Sequence, residues 1–324
     1  MADPDKKKCI VANFDCEETW SLKTNETPKP IKKHIKTLMS NLSHHLSVFA
    51  NDSTEIVMPW RLDEESKRQE VLAWGETTQT HHIRNKKNRA SHPSDWQDAL
   101  WNSRPSPEVA KDVNHKRFAF EIANQNGWQH EHQTFISSFE ELDEHIGTSR
   151  LKDKSPWLVK APYSAAGRNG IVSKDTAFAE DEKRHIGRLL ERFKSLMVMP
   201  WLDRILDFSV SGVIGEGKDW VFPVHFPKVD KRGAVRGIEI YDSKSKQVFF
   251  PIELTTIEHV TKRVLAKLKE ASFYGPFSFD GFLYNKNDKR RIHPLSEING
   301  RLTFSLVARA QAIQTKSLSY FLEL

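Results

Sequence analysis

The chain opens, after a short charged stretch, on CIVANF, an apolar run from Cys9 that predicts a buried strand. IKKHIKTLMSNLSHHLSVF, residues 31–49, then places apolar positions at helical spacing, and EIVMPW, 55–60, predicts a second strand. Strand, helix and strand at this spacing predict a βαβ unit, so residues 9–111 read as a small Rossmann-like α/β domain behind a disordered tail at 1–8. From about Glu64 to Pro107 the chain is polar, rich in Trp, His and Asn, and without a period. PSPEVAKDVNHKRFAFEIANQNGW predicts a fresh start: a proline-punctuated linker, an N-cap at Asp112 or Asn114, a helix through Ala123 and a stop at Gly127. That start sets a domain boundary at residue 112.

Beyond it, HQTFI and WLVKA predict strands, and SFEELDEHI and DEKRHIGRLLERF predict helices, which makes 112–198 one subdomain. MVMPW, DFSVSGVI and DWVFPVHF predict short strands of one antiparallel sheet. IEHVTKRVLAKLKEASF predicts a long amphipathic helix, FSFDGFLY and IHPLSEIN a strand pair, and SLVARAQAIQTKSLSYFLEL a closing helix, within a second subdomain over 199–324. The mixture is α+β, with antiparallel sheet dominating the second half.

Strand alternation puts Glu297, Asn299 and Arg301 of the second paired strand on one face, and Ile298 and Leu302 on the other. If the connecting NKNDKRR turns at Asp288 and Lys289, counting back sets Asp280 of FSFDGFLY directly opposite Glu297; Pro294 cannot donate to the ladder and could shift that register. Two facing carboxylates repel unless a cation lies between them, and two acids plus an amide oxygen are hard ligands suited to Mg2+. Arg301 cannot bind a metal but can grip a phosphate or carboxylate. The alternative is an exposed polar face on an edge strand. In WLVKAPYSAAGRNGI, Lys160 precedes small residues through which backbone N–H groups can approach an anion, with Arg168 adding charge; a plain hairpin turn would look similar. Lys116 stands in a first helical turn, against the macrodipole, which favours a ligand for it.

A helix-start lysine, a strand lysine before a glycine-containing loop, a linker strand and then D…E-x-N-x-R together resemble the ATP-grasp superfamily, from about Asp112 to the C-terminus. KAPYSAAGR and EINGRLT are similar to uncharacterised bacterial members whose flap reads K-A-P-x-S-x-x-G-R and whose end reads E-I-N-x-R-x-T. The resemblance implies an ATP-grasp fold, two α+β subdomains clasping ATP, behind a small α/β domain. It implies that Lys116 and Lys160 reach the nucleotide phosphates, that Ser164, Ala165, Ala166, Gly167 and Arg168 close over them, and that the linker strand with Met199, Trp201 and Leu202 meets the adenine. Asp207 then falls near the ribose or substrate, and Asp280, Glu297 and Asn299 hold Mg2+, as one or two ions that Mn2+ could replace. Arg301 faces the transferred group. Similar proteins carry glutamate where this chain has Met199, which removes one nucleotide contact. The implied activity is an ATP-dependent, ADP-forming carboxylate–amine ligase working through an acyl phosphate; a small-molecule kinase on the same fold, or a nucleotide-binding regulator without turnover, are the alternatives.

Composition narrows the partners. Two cysteines, Cys9 and Cys16, form neither a disulfide framework nor a zinc pattern, and no apolar run is long enough to cross a bilayer, which suits a cytoplasmic protein without a membrane partner. The net charge of +6 fits phosphorylated ligands as well as nucleic acid, and the densest basic run, HHIRNKKNR at 81–89, has no aromatic residue to stack on a base. Small molecules, namely ATP, an acid and an amine, are therefore the expected partners, with room for a homodimer. The pairs His81–His82 and His130–His132 read as solvated rather than metal-binding.

Overall fold

The computed structural model describes residues 8–22, 30–62, 70–83, 93–103, 105–149, 155–164, 170–173, 175, 177–230, 235–241 and 248–324. Of the expected tail, residues 1–7 lie outside the described residues, and Lys8 already belongs to the first strand.

The first strand, β1 (Lys8–Val11), is the centre of a parallel sheet ordered β2-β1-β3, with β2 (Thr54–Val57) and β3 (Glu70–Ala73) on its flanks. Between β1 and β2 run the short α1 (Cys16–Trp20) and α2 (Lys33–Ser43), so the expected βαβ unit is present. The third strand lies in the stretch without a readable period. Only Val71, Leu72 and Ala73 of it are buried, too short a run to separate strand from helix by pattern. After α3 (Thr78–His82) and α4 (Trp96–Trp101), the expected single helix at 112–123 is two helices. α5 (Pro107–Asn114) starts on Pro107, with the Ser106 hydroxyl accepting from the Val109 N–H, and Asp112 lies inside it. α6 (Lys116–Gln125) restarts after His115, and Gly127 ends the segment with φ +69°.

A four-stranded antiparallel sheet follows, ordered β4-β7-β5-β6 from β4 (Thr134–Ile136), β5 (Trp157–Lys160), β6 (Gly170–Val172) and β7 (Leu196–Pro200). Its outer face buries Trp157, Val159, Leu196 and Val198 against Leu142 of α7 (Phe139–Thr148) and Ile186 and Leu189 of α8 (Glu180–Phe193). The next sheet is ordered β13-β12-β8-β9, from β8 (Asp203–Ile214), β9 (Asp219–Val221), β12 (Gly275–Lys286) and β13 (Lys289–Asn299). Phe208, Val210, Phe277, Phe279 and Ile298 on its outer face pack on Ile257, Val260, Val264 and Leu268 of α9 (Pro251–Glu270). Each fully buried phenylalanine there contributes about 2–3 kcal/mol, so alternation along β8 and β12 is energetically fixed: apolar outward to α9, with Ser209, Ser211, Ser278 and Asp280 inward. The inward faces of these two four-stranded sheets meet and define a cleft.

The expectation that MVMPW, DFSVSGVI and DWVFPVHF share one sheet is corrected. They are divided among three, because the chain crosses at Trp201 and Leu202 from the first four-stranded sheet to the second, and β10 (Phe226–Val229) joins a third, β10-β11-β14, with β11 (Val235–Tyr241) and β14 (Ser319–Glu323). The closing helix is corrected too: α10 (Phe304–Gln314) stops before Lys316, whose φ is 51°, and the last residues form β14. α10 is buried nearly all round, between the 3-10 helix His44–Phe49 and β11 and β14.

Candidate functional site

The hairpin of β12 and β13 positions the acidic row. Its two-residue turn is Asn287–Asp288, both at positive φ, with Lys286 opposite Lys289, one residue earlier than the sequence suggested. Phe282 faces His293, but the next pair is Asp280 opposite Glu297, so β13 takes up two extra residues around Pro294. An extra two residues preserve the face, so His293, Glu297 and Asn299 all remain on the cleft side with Asp280 and Phe282. At the bulge only glycine fits: a Cβ at Gly281 would stand 2.4 Å from the Phe208 ring and 2.9 Å from the His293 carbonyl.

Asp280 accepts hydrogen bonds from Ser209 Oγ at 2.6 Å and from Asn299 Nδ2 at 3.2 Å. Burial, and secondarily the charge of Glu297, push its carboxyl from 3.8 up to about 6. Burial pushes Glu297 the same way, but Lys116 and Lys160 outweigh it and hold that carboxyl below its usual range. Lys116 is 2 % exposed; its Nζ lies 2.8 Å from Glu297 Oε1 and donates to the Ser164 carbonyl at 3.3 Å. Lys160 enters from β5, on the facing sheet, and burial draws its amine from 10.5 down to about 8, against the opposing pull of Glu297.

Past the acidic row the cleft becomes apolar. Leu158, Met197 and Met199 from one sheet meet Phe282 and Tyr284 from the other, with Phe135, Trp201 and Leu202 at the margin. The Trp201 N–H is held by the Pro156 carbonyl at 2.7 Å. Asp207, opposite Phe282 on β8, pairs with Arg204 at 2.6 Å, and the Arg204 guanidinium lies 4.2 Å from the Phe282 ring centre.

The structure therefore brings Lys116, Lys160, Ser164, Asp280, Glu297 and Asn299 together, with Met199, Trp201, Leu202 and Asp207 farther along the same cleft. Ala165, Ala166, Gly167 and Arg168 lie outside the described residues. Arg301 follows the end of β13 instead of extending its row, because Gly300 is clamped by two hydrogen bonds to Asn114, and a Cβ there would stand 2.4 Å from Val113. Its Nη2 lies 2.8 Å from Glu17 Oε1, so Arg301 ties this site to α1. Burial works against its charge, but Glu17, with Cys16, Glu297 and Asp280, more than restores it.

Sequence reasoning missed Ser209, Arg204, Glu17 and His293. His293 alone carried a signal, an even spacing from Glu297. His130 and His132, the latter in a turn, form no metal cluster: among the described residues no three His, Cys, Asp or Glu side chains come together as a cage. A Mg2+ site needs no such cage, since it is made of a few hard oxygens completed by water and phosphate. Asp280 and Glu297 fit that demand, as would the amide oxygen of Asn299 with its amide turned over from the present Nδ2 contact to Asp280, and a divalent cation between the carboxylates would offset the Glu297 repulsion, the second cause of the raised Asp280.

No protein-family model and no curated protein sequence matches the chain. Solved structures do resemble it. D-alanyl-alanine synthetase A from Vibrio cholerae aligns with a TM-score of 0.52 at 12% identity, over 95% of this chain and 94% of that one. Biotin carboxylase from Campylobacter jejuni, bound to an ATP analogue, gives 0.56 at 12% identity, over 95% and 67%. N5-carboxyaminoimidazole synthetase from Staphylococcus aureus, complexed with ADP, gives 0.50 at 11% identity, over 93% and 72%. The likeness covers nearly the whole chain and shows the fold: two α+β halves whose inner sheet faces meet, the ATP-grasp fold.

Proposed function

We propose that the protein is an ATP- and Mg2+-dependent ligase that joins a carboxylate to an amine, releasing ADP. The observation that carries this reading is the placement of Asp280 directly opposite Glu297 on the cleft face, with Lys116 bound to Glu297 and Lys160 facing them from the other sheet. Two acids and two cations in one buried place are what a metal–triphosphate complex requires: acids for the metal, lysines for the phosphates. The three enzymes similar in fold support it as well.

Asp280, Glu297 and Asn299 would hold Mg2+, which when bound supplies charge neutralisation and alignment of the phosphate oxygens. Lys116 releases Glu297 and takes a phosphate, so its present ion pair keeps it ordered and desolvated for that exchange. Lys160 binds a second phosphate oxygen, and the apolar slot of Leu158, Met197, Met199 and Phe282 takes the base. Arg301, held by Glu17, binds the acceptor carboxylate. One carboxylate oxygen attacks the γ-phosphorus and ADP leaves; the amine then attacks the acyl carbon, phosphate departs, and the amine proton is lost to solvent. Beyond Ser209 the same face continues into buried Ser211, whose hydroxyl has no partner among the described residues, with buried His225 beside it, and this is where the acceptor acid would extend.

Incubation with ATP, Mg2+, hydroxylamine and a panel of carboxylic acids tests the reading. Acid-dependent hydroxamate with ADP release is expected; a stable phosphate ester on a hydroxyl substrate would replace the ligase by a kinase.

Two titrating groups also fix the pH range of binding. Asp280 protonates below about pH 6 and then competes with Mg2+, and Lys160 is neutral above about pH 8 in the free protein. Mg·ATP affinity should peak between these values. Calorimetry in buffers of different ionisation enthalpy should show proton uptake on binding above the window. Below it, proton release should be smaller in Asp280→Asn.

A further inference from the structure

We propose that His293 reads the base of the bound nucleotide, its Nε2 accepting a hydrogen bond from an exocyclic 6-amino group, so that adenine is preferred to 6-oxopurines. The inference rests on the nucleotide reading above and assigns a specificity residue within it.

His293 lies on β13 opposite Phe282, its ring centre 4.9 Å from that of Phe282. Phe282 is two positions along β12 from Asp280, about 7 Å at strand rise, which places this pair beyond the phosphate end. Phe282 packs with Leu158, Met197 and Met199 in the apolar part of the cleft, where the functional reading above places the base. In that setting His293 is 2 % exposed, and its Nε2 has no hydrogen-bond partner among the described residues. A buried polar nitrogen left unpaired is costly, so a ligand group that satisfies it gains the whole of that difference.

The surroundings also select which form of the ring is present. Burial, with His130, Arg204 and Lys160 nearby, draws His293 down to about 3, so the ring is neutral and holds one proton. In the neutral tautomer that carries its proton on Nδ1, the unpaired Nε2 acts as an acceptor. An acceptor suits the amino group of adenine and repels the carbonyl oxygen of guanine or hypoxanthine. A site that offers one fixed hydrogen-bond partner discriminates against the analogue that lacks the matching group.

The test is calorimetric titration of Mg·ATP, Mg·GTP and Mg·inosine triphosphate into the wild-type protein, His293→Leu and His293→Gln, with melting curves of each ligand-free protein. The wild type should bind ATP more tightly than inosine triphosphate. His293→Leu should lose about five- to tenfold in ATP affinity with the other two unchanged, and its ligand-free melting temperature should hold or rise, since the unpaired nitrogen is gone. His293→Gln, which keeps an acceptor, should retain part of the preference. An unchanged ratio of ATP to inosine triphosphate in both variants overturns the assignment, and so does an equal loss for all three nucleotides with a lowered melting temperature, the mark of a packing role. Absence of nucleotide binding by the wild type would instead remove the functional reading itself, and this inference with it.

Discussion

Asp280→Asn and Glu297→Gln will both abolish the stabilisation that Mg·ATP gives the protein, yet they will move the ligand-free protein in opposite directions. In the proposed function each removes one of two hard anionic ligands, and a site of this kind has few to spare. At a hundredfold excess over Kd, the wild type should gain about 2.7 kcal/mol from the ligand, and both variants should gain almost none. Without ligand the two carboxylates are not equivalent. Asp280 ionises against burial and against Glu297, so its folded-state value is raised to about 6. A raised acid costs the folded state increasingly as pH climbs from the ordinary value through the raised one, and above it the penalty is complete. At neutral pH, Asp280→Asn removes a penalty of about 1–3 kcal/mol, and the melting temperature rises. Glu297 is instead the partner of buried Lys116, so Glu297→Gln strands that ammonium at a cost of about 3 kcal/mol, and the melting temperature falls. Melting curves of the three proteins with and without Mg·ATP read both effects.

Lys116→Met should be the next most damaging change. It removes the cation that lies nearest Glu297 and, in the functional reading, a phosphate ligand. A charge-assisted contact to phosphate is worth about 1.5–3 kcal/mol, so ATP affinity should drop about ten- to a hundredfold. The ligand-free protein also loses stability, because Glu297 loses its nearest cation and keeps Lys160 and, more weakly, Arg301, and this loss should shrink as the pH is lowered and Glu297 takes up a proton. The combination Lys116→Met with Glu297→Gln should recover stability relative to either single change without recovering binding. A double variant no more stable than the worse single one would contradict the pairing.

Much of this site was legible from order and parity alone. The pairing of Asp280 with Glu297 follows from counting back from a turn, though the count rested on a turn one residue too late and on no bulge. The true turn at Asn287–Asp288 and the two residues added near Pro294 cancel each other, because both alter the register by the same amount. Face identity survived for a simpler reason: strand side chains have a period of two, and the bulge adds an even number. Arg301 shows where parity stops. Its strand ends at Asn299, and the clamp of Gly300 on Asn114 turns it toward Glu17, a contact between residues far apart in the chain that no local pattern encodes. The strand β3 was hidden for another reason, since three buried residues between polar stretches give too short a period to read. Assignment of MVMPW and DFSVSGVI to different sheets depended on the crossing at Trp201 and Leu202, which is a tertiary event. Met199, the departure from the pattern of similar proteins, is buried in the apolar slot and packs there with Leu158 and Phe282, so its side chain serves the walls of the cleft.

The central claim is that the cleft between the two four-stranded sheets is a Mg2+-dependent nucleotide site built on Asp280 and Glu297. Calorimetric titration of ATP into the wild-type protein, with Mg2+ and again with a chelator, tests it most directly, with Asp280→Asn as the control. Saturable binding that weakens at least tenfold without Mg2+, and that no longer depends on Mg2+ in Asp280→Asn, is the expected result. Binding of equal strength with and without Mg2+, or a Mg2+ dependence that survives in Asp280→Asn, would contradict it.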